Sequence, residues 1–362
     1  MKRDTSIETE PKRYVRDLYA CNKGKISDKW SSYLDFYEEI FAPRRDRPLR
    51  ILEIGIQNGG SLEIWARYFD KAEQIVGCDI APAAAKLCFA DPRIQVIVGD
   101  ANQPETFAQI AALSDRFDII IDDGSHRSGD IVRSFGLYFP LLAEGGLYIA
   151  EDLHCSYWQE FEGGLEAPFA SMTFFKRLAD LVNREHWGAS LDADAILGYF
   201  AETYGAVFDA GALGRITEVR FRNSICAIVK GAAGGNAIGP RVVAGTETLV
   251  EPRVSLALNG THFARTNQTG NPFGPLAPRL EAQAAFSEQV TELEARVALA
   301  EDRTKQAQKA LRRARRYPLA GLRDKLVFKM LRALAKASPL LSSRTTARFG
   351  RKAAKYNPDR GL

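Results

Sequence analysis

The sequence predicts an α/β protein whose parallel sheet ends in an antiparallel hairpin and is followed by a helical tail. Five short apolar runs lie between residues 49 and 151. They are spaced by roughly 20 to 30 residues, which leaves room for a crossover helix between neighbours. A hairpin pattern around Arg222-Asn223 follows them, and charged amphipathic stretches begin after residue 278. These observations favour a sheet covered by helices on both faces, with appended helices.

The predicted strands are short and apolar, as expected for strands that are buried on both faces. The five parallel strands are predicted at Arg50–Gly55, Gln74–Asp79, Ile94–Gly99, Phe117–Asp122 and Gly146–Glu151. The hairpin is predicted to pair Ile216–Phe221 with Ser224–Val229. Residues 49–230 therefore form the predicted main domain, and a hairpin is an unusual ending for a parallel sheet.

Composition excludes several protein classes. Hydrophobic residues make up 46% and charged residues 26% of the 362, as in ordinary soluble proteins, which excludes a wholly disordered or fibrous chain. No run approaches the ~18 residues of a membrane-spanning helix, and no apolar core follows Met1-Lys2-Arg3-Asp4, so neither a span nor secretion is indicated. The five cysteines are scattered and form no Cys-x-x-Cys pair. We therefore expect reduced thiols and a cytoplasmic protein.

The chain after the main domain divides into three predicted parts. Residues 231–278 are rich in Gly, Ala, Asn, Thr and Pro and are predicted to be a linker. Residues 279–316 carry a heptad stripe that predicts a coiled-coil helix, although Ala and Thr in its seam leave a single surface helix as the alternative to self-association. The stripe consists of Phe286, Val290, Leu293, Val297, Ala300, Thr304, Ala307, Leu311 and Ala314.

The C-terminal tail, residues 317–362, is strongly basic. From residue 312 onward there are 15 Lys and Arg against two Asp, whereas the preceding residues carry a net charge of −9. Leu319, Leu322, Leu326, Val327, Met330, Leu331 and Leu334 share one helical side, opposite Lys325, Lys329, Arg332 and Lys336. This pattern favours peripheral contact of residues 317–355 with an anionic membrane, and a packed helix is the alternative. Nucleic acid is disfavoured because few aromatic residues interleave with the charges.

A glycine loop, from Gly55 to Gly60, closes the first strand and is followed by Ser61. Gly55 permits a tight turn, Gly59 and its neighbour let a ligand approach the backbone, and Ser61 is a candidate helix cap. Glu53 at the end of the strand would repel a pyrophosphate but suits a cationic ligand. S-adenosylmethionine, with its sulfonium and ammonium groups, is such a ligand.

Further acids follow the next strands. Asp79 ends the second strand, where an acid accepts hydrogen bonds from ribose hydroxyls, and Asp100 ends the third, where it would receive the adenine amino group. Asn102 and Asp122 are assigned to the same ligand. Each acid alone could be a helix cap, but caps do not explain the set at successive strand ends.

A second set of acids follows strands four and five. Asp123, Glu151 and Asp152 are expected at one rim of the sheet, where their repulsion favours a cation between them. Ligation by oxygen alone suits Mg²⁺, and helix caps or solvent-facing acids are the alternative. His126, three residues after Asp123, is a candidate general base because its ordinary pKa lies near neutrality. His154 is a further candidate near the acceptor.

These motifs resemble a known family. Asp122-Asp123-Gly124-Ser125-His126 and Glu151-Asp152 are similar, at their mutual spacing, to the metal-dependent sugar O-methyltransferases of macrolide biosynthesis, the mycinamicin type. These are class I S-adenosylmethionine-dependent methyltransferases, whose Rossmann-like seven-stranded sheet ends in an antiparallel hairpin. The resemblance covers about residues 28–230. It implies Mg²⁺ on the three carboxylates, with the histidine as general base.

The resemblance also implies a helical cap or lid in residues 1–48. Within it, Ser27-Asp28-Lys29 and Tyr33 belong to a segment that folds over the ligands. The family usually has Gly-Thr-Asp-Lys there, whereas this chain has Ile26-Ser27-Asp28-Lys29. The tail resembles basic C-termini of bacterial surface-polysaccharide enzymes.

The predicted reaction is therefore Mg²⁺-dependent methyl transfer to a sugar hydroxyl of a polysaccharide, glycan or secondary-metabolite glycoside. Tyr157 and Trp158 either stack on a sugar face or pack on each other. Methylation of nucleic-acid amines is disfavoured, because Asp122-Asp123-Gly124-Ser125 replaces the Pro-Pro-aromatic turn of such enzymes. A degenerate scaffold that recruits glycan-assembly enzymes to the membrane is the other alternative, and the complete set of acids argues against it.

Overall fold

A computed structural model describes residues 14–188, 193–264, 266–268, 292, 295–309 and 325–330. The chain divides into two compact units, Met1–Arg279 and Leu280–Leu362. The first unit contains a seven-stranded sheet. Its strands are β1 Arg50–Ile54, β2 Gln74–Asp79, β3 Ile94–Val98, β4 Phe117–Asp122, β5 Leu142–Ala150, β6 Ile216–Arg222 and β7 Ile225–Lys230. Its helices are α1 Val15–Ala20, α2 Ser31–Phe41, α3 Gly60–Tyr68, α4 Pro104–Leu113, α5 Ser128–Tyr138, α6 Ser171–Val182, α7 Asp194–Tyr204 and α8 Ala210–Leu213.

The strand order is β3-β2-β1-β4-β5-β7-β6. The first five strands pair in parallel, whereas β7 is antiparallel to both β5 and β6. The predicted fold class is confirmed. The direction in which successive strands are added to the sheet reverses between β1 and β4. The carboxyl ends of these two strands lie at the same edge of the sheet, and ligands bind at such a position in open α/β sheets.

Four local predictions are corrected. The β2–β3 crossover contains only a 3-10 turn, Pro82–Lys86, and no α-helix. Strand β5 starts at Leu142 rather than Gly146, beside a register irregularity in β4. The hairpin turn is Asn223-Ser224, with Arg222 paired to Ile225. Ser61 is not the cap of α3: Gly59, with φ +77°, precedes the first residue of the helix.

The N-terminal helices are part of the packed core. Tyr37 and Phe41 of α2 are fully buried, and both rings contact Trp65 of α3, with centroids 5.1 and 5.5 Å apart. Each such buried aromatic side chain contributes about 1.5–3 kcal/mol through apolar burial. Because α2 is held in this way, the residues just before it, including Lys29 and Trp30, lie over the carboxyl edge of the sheet.

The segments after β7 contain little regular structure among the described residues. Residues 231–264 hold a single 3-10 turn, Leu256–Leu258, and exposed apolar side chains such as Val242 and Val250. A linker there stays a prediction. In the second unit, residues 295–309 are helical with exposed side chains, and residues 325–330 are helical. Among the described residues, no helix is both long and apolar enough to span a bilayer.

The remaining predictions for the tail concern residues that lie largely outside the described ranges. Of the heptad stripe, only Val297, Ala300, Thr304 and Ala307 are described; they lie on the helical stretch 295–309. Most of the amphipathic tail also lies outside. Self-association and membrane contact therefore stay predictions.

Candidate active site

A cavity of about 280 Å³ opens at the carboxyl edge of the parallel strands. The loops after β1, β2, β3 and β4 form its walls, so its polar groups come from the strand ends that the sequence singled out. Five of the predicted ligand-binding residues line it: Gly55, Asp79, Asp100, Asn102 and Asp122. Asp123 also lines it. Glu53, Gly59 and Ser61 are not among the lining residues.

Two glycines shape the loop after β1. Gly55 has φ +84°, and a Cβ there would lie 2.0 Å from the carbonyl oxygen of Asp123, so the close approach of the β1 and β4 loops requires glycine. Gly59 has φ +77°, and a Cβ would lie 2.7 Å from the Phe89 ring. Asp79 holds this loop: its Oδ2 accepts the backbone N–H groups of Ile56 at 3.1 Å and Gln57 at 2.8 Å.

The adenine side of the predicted site holds an acceptor without a partner. Asp100 Oδ1 accepts the backbone N–H of Asn102 at 2.9 Å, and Asn102 Nδ2 donates to the Asp130 carbonyl at 3.3 Å. The buried Oδ1 of Asn102 has no hydrogen-bond partner within the described part of the chain. Because an unpaired buried acceptor is costly, this atom is available for a donor on a bound ligand.

Asp122 and Glu53 are acids in apolar surroundings. Tyr148 donates to Asp122 Oδ2 at 3.0 Å, and burial raises the Asp122 pKa to about 6. Glu53 is fully buried, and its Oε2 accepts the Trp65 Nε1–H at 3.0 Å. Burial also raises the pKa of Glu53. The charge of Lys29 and a hydrogen bond from Ser61 partly oppose this increase. Ser61 therefore supports this buried carboxylate instead of capping the helix.

The second cluster brings together Asp123, His126 and Asp152. Carboxylate and imidazole atoms of the three lie within 4.8 Å of one another. His126 Nε2 lies 3.7 Å from Asp152 Oδ2. The buried Nδ1 of His126 has no partner within the residues that the structure describes. His126 and Asp152 both have positive φ, +59° and +53°, a strained conformation that is typical of functional turns.

Glu151, the third predicted metal ligand, is not in this group. Its carboxylate is buried, accepts a hydrogen bond from the Tyr37 hydroxyl, and lies 2.7 Å from the ammonium of Lys29. The pKa of Glu151 is raised to about 8, first by burial and then by the charge of Asp123. The charge of Lys29 partly opposes this increase.

Lys29 supplies the positive charge in this structure. Its side chain is 3% exposed, and its Nζ lies 2.5 Å from Asp123 Oδ2, 2.7 Å from Glu151 Oε1 and 3.4 Å from Glu53 Oε1. Burial alone would lower the pKa of Lys29, but these carboxylates raise it well above its usual value. The carboxylates therefore gather around a cation, and the carboxylate oxygens of Asp123 and Asp152 fit a divalent metal ion such as Mg²⁺, with the imidazole of His126 beside them.

Asp152 is held by two aromatic side chains from the segment before and within α2. Trp30 Nε1 donates to its Oδ1 at 3.0 Å, and the Tyr33 hydroxyl lies 2.9 Å from the same atom. Tyr33 was singled out in the sequence, but Trp30 was missed. Trp30 could have been found from its position next to Lys29, in the segment that the resemblance places over the ligands.

An aromatic rim borders this cluster. Trp30, Tyr157 and Trp158 are all partly exposed, at 59%, 42% and 48%. The His154 ring contacts Trp30 and Trp158, with centroids 5.8 and 5.0 Å apart. Tyr157 and Trp158 therefore do not form the closed packing pair that was considered, and Trp158 instead lies against His154. Phe161, which contacts both Trp158 and His126, was not predicted.

Comparison with known proteins identifies the main domain. Residues 52–153 match a family described as a methyltransferase domain. The predicted resemblance is confirmed, and it covers the loops after β1 through β5.

Named relatives are sugar-modifying enzymes. The chain is 41% identical over 164 residues to the 8-demethyl-8-alpha-L-rhamnosyl tetracenomycin-C 2'-O-methyltransferase of Streptomyces olivaceus, covering 42% of each chain. It is 35% identical over 171 residues to the mycinamicin VI 2''-O-methyltransferase of Micromonospora griseorubida, covering 45% of this chain and 42% of that one. The chain therefore spans less than half the length of these relatives.

A solved structure supports the same comparison. The MycE methyltransferase of the mycinamycin pathway, in complex with Mg, SAH and mycinamycin VI, is 27% identical with a TM-score of 0.51. The match covers 61% of this chain and 54% of that one. It supports the fold, including the closing antiparallel hairpin.

Proposed function

We propose that this protein transfers a methyl group from S-adenosylmethionine to a sugar hydroxyl and requires a divalent cation such as Mg²⁺. One observation carries the proposal: Asp123 belongs both to the wall of the cavity and to the cluster with His126 and Asp152. A methyl donor in the cavity and an alcohol at the cluster would therefore meet at Asp123.

The relatives support the choice of acceptor. The tetracenomycin and mycinamicin enzymes are O-methyltransferases by name, and the first acts on a rhamnosyl compound. The demethylmacrocin O-methyltransferase of Streptomyces fradiae is also similar, at 34% identity over 194 residues. The acceptor of this chain would be a sugar in a surface polysaccharide, a lipid-linked glycan or a secondary metabolite.

The methyl donor fits the cavity after β1. S-adenosylmethionine supplies an electrophilic methyl group on a sulfonium, which is a good leaving group. Asp79 would accept the ribose hydroxyls while it holds the glycine loop, and Asn102 Oδ1 and Asp100 would receive the adenine amino group. Asp79, Asp100 and Asp122 line the cavity, and these carboxylates suit a cationic donor better than a pyrophosphate.

The cation would be held by Asp123 and Asp152, with Glu151 as the predicted third carboxylate. When bound, it would stabilise the negative charge that develops on the hydroxyl oxygen of the acceptor. Lys29 lies between Asp123 and Glu151 and already neutralises both. Trp30 and Tyr33 orient Asp152 through its Oδ1 and leave Oδ2 toward His126.

His126 would take the proton of the hydroxyl. Its Nε2 lies beyond hydrogen-bond distance of Asp152, at 3.7 Å, so this nitrogen can accept a proton from an alcohol placed beside the cluster. The carboxylate of Asp152 would then stabilise the imidazolium. Trp30, Tyr157 and Trp158 form an exposed aromatic rim against which a sugar face would lie.

Calorimetry tests the proposal directly. Titration with S-adenosylmethionine, with and without Mg²⁺, should give binding heat, whereas a degenerate scaffold would give none. Transfer of labelled methyl groups should then be compared between cell-envelope glycans and small glycosides. If the protein binds the methyl donor but methylates no glycan or glycoside, a sugar is not its acceptor.

We also propose that the protein is cytoplasmic and that residues 317–355 contact the anionic inner face of the membrane. The excess of 15 basic over two acidic residues after residue 311 supports this, at about 1 kcal/mol for each basic residue near the lipid. Truncation after Tyr317 should abolish pelleting with anionic vesicles and spare activity on a soluble acceptor. If the truncated protein pellets with the vesicles as the full chain does, residues 317–355 do not mediate membrane contact.

A further inference from the structure

A second cavity, of about 300 Å³, lies beside the candidate active site at the turn of the β6–β7 hairpin. Three elements meet there: the 3-10 turn Leu153–Tyr157 after β5, helix α6 and the hairpin. Lys176 of α6 and Arg222 of β6 both line it, together with Tyr157 and Phe221. The proposed cofactor does not use this cavity, and Tyr157 and His154 are the lining residues that also border the candidate active site.

The lining of the second cavity is positively charged. Lys176 and Arg222 line it, and no Asp or Glu is among the described lining residues. Lys176 is exposed and makes no ion pair within the described ranges. Because no acidic side chain in the described part of the lining balances these two positive charges, the cavity should attract an anion.

Arg222 is held in place and only partly neutralised. Its Nη2 lies 2.7 Å from Glu39 Oε2, and its guanidinium lies 5.3 Å from the centre of the Phe36 ring. Glu39 is shared, because Arg220 Nη1 lies 2.9 Å from the other oxygen. The guanidinium is thus held against α2 by residues that do not line the cavity, and Arg222 contributes a partly neutralised positive charge to the lining.

The second cavity is joined to the cluster by a short chain of side chains. Ser224 Oγ lies 2.5 Å from His154 Nδ1 and 2.7 Å from the Tyr33 hydroxyl, and that hydroxyl lies 2.9 Å from Asp152 Oδ1. His154 and Ser224 both line the second cavity. An acceptor whose hydroxyl reaches Asp152 would therefore extend past His154 to Lys176.

We propose that Lys176 and Arg222 bind an anionic group of the acceptor, a carboxylate or a phosphate carried on or next to the methylated sugar. This inference rests on the proposed function and specifies its substrate class: acidic glycans or sugar phosphates in preference to neutral glycosides. Tyr157 and Phe221, both partly exposed, add aromatic surface beside the two cations.

Calorimetric titrations test this inference with three defined probes: methyl glucuronide, glucose 1-phosphate and the neutral methyl glucoside. They are carried out on the full chain saturated with Mg²⁺ and S-adenosylhomocysteine. We expect at least one anionic probe to bind about 10-fold more tightly than the neutral one, as for one charge-assisted hydrogen bond. The two anionic probes separate a carboxylate from a phosphate preference. Binding of the anions should weaken as the salt concentration rises.

Variants locate the effect. Lys176→Gln changes an exposed side chain and should remove most of the 10-fold preference, and Arg222→Gln should do the same. Lys71→Gln, an exposed lysine on the loop before β2, is the matched control and should bind the probes like the wild type. Equal affinities for the charged and neutral probes, or a preference that survives Lys176→Gln, would overturn the inference. Normal binding of S-adenosylhomocysteine in the same samples would leave the proposed function intact in that case, whereas its absence would count against the proposed function.

Discussion

The two halves of the sheet edge are built differently. The half after β1, β2 and β3 is an open cavity whose walls come mainly from the loops after these strands and from helix α5. The half after β4 and β5 is filled by side chains from the N-terminal segment: Lys29 reaches Asp123 across 94 residues of sequence, and Trp30 reaches Asp152 across 122. The first half is thus a local product of strand ends, whereas the second depends on the packing of α2.

This difference affects how each half would bind a ligand. In the open half, the Asn102 Oδ1 acceptor is unpaired, so a ligand gains a hydrogen bond without breaking one. In the filled half, Asp123 and Glu151 are already neutralised by Lys29, so a metal ion must compete with an internal cation. We therefore expect the affinity of the open half for its ligand to depend mainly on newly formed contacts. The affinity of the filled half for a metal ion should depend on how readily the carboxylates exchange Lys29 for the ion.

The largest effect is expected in the filled half, at His126. Replacement His126→Ala should lower turnover by a factor of ~10² to 10⁴, the usual contribution of general base catalysis, because it removes the imidazole nitrogen that would accept the proton of the hydroxyl. Binding of S-adenosylmethionine in the open half should be unchanged by calorimetry. His262→Ala, an exposed histidine outside the site, is the control. Turnover close to that of the wild type would exclude His126 as the base.

Lys29→Met should come next. Removal of the buried ammonium leaves Glu53, Asp123 and Glu151 without the cation that pairs with them, which should lower the free energy of unfolding in metal-free buffer by about 3–5 kcal/mol. Mg²⁺ should restore more stability to this variant than to the wild type, because it no longer competes with Lys29. Thermal unfolding with EDTA and with Mg²⁺ measures both effects.

Lys25→Met is the matched control for Lys29. Lys25 pairs with Glu63 at 2.7 Å, but both side chains are about a quarter exposed, so its loss should cost less than about 1 kcal/mol and should not change the response to Mg²⁺. If the two variants unfold alike in EDTA, Lys29 does not hold the carboxylates of the filled half.

Gly55→Ala tests the boundary between the halves. Its Cβ would lie 2.0 Å from the Asp123 carbonyl oxygen, so the loops after β1 and β4 must separate, at a cost of about 1–3 kcal/mol beyond the backbone penalty. Gly145→Ala isolates that penalty, since Gly145 has a similar φ, +76°, and no atom within 4 Å of its Cβ position. Denaturant unfolding compares the two. Equal losses of stability would show that the close contact is not required.

The same comparison explains what the sequence could predict. Strand-end acids such as Asp79, Asp100 and Asp123 were found because parallel strands bring their carboxyl ends to one edge whatever the details of packing. Glu53 was recognised as unusual, but its burial against Trp65 was not foreseen, because the contact depends on how α3 lies on the sheet. Position in a strand thus predicts the edge on which a side chain lies, and not the partner it meets.

The partners of the filled half were less predictable for a related reason. The resemblance indicated that Lys29 and Tyr33 lie near the ligands, and the structure places both at the carboxylates. The sequence did not indicate that Lys29 takes the position of a cation between Asp123 and Glu151, since that requires the buried packing of Tyr37 and Trp65. Long-range pairing of charges is decided by tertiary packing, which local patterns do not encode.

The smallest effect is expected in the open half, at Asn102. Asn102→Ala removes an unpaired acceptor, and one neutral hydrogen bond to a ligand contributes about 0.5–1.5 kcal/mol, so S-adenosylhomocysteine should bind roughly 3- to 10-fold more weakly by calorimetry. The free energy of unfolding should fall by no more than about 1 kcal/mol, because the side chain loses only the 3.3 Å hydrogen bond from its Nδ2 to the Asp130 carbonyl, and Oδ1 makes no internal hydrogen bond among the described residues. Gln109→Ala, at an exposed position of α4 that does not line the cavity, should leave the affinity unchanged. If both variants bind equally well, the open half does not use this acceptor, and its affinity must come from Asp79 and Asp100 alone.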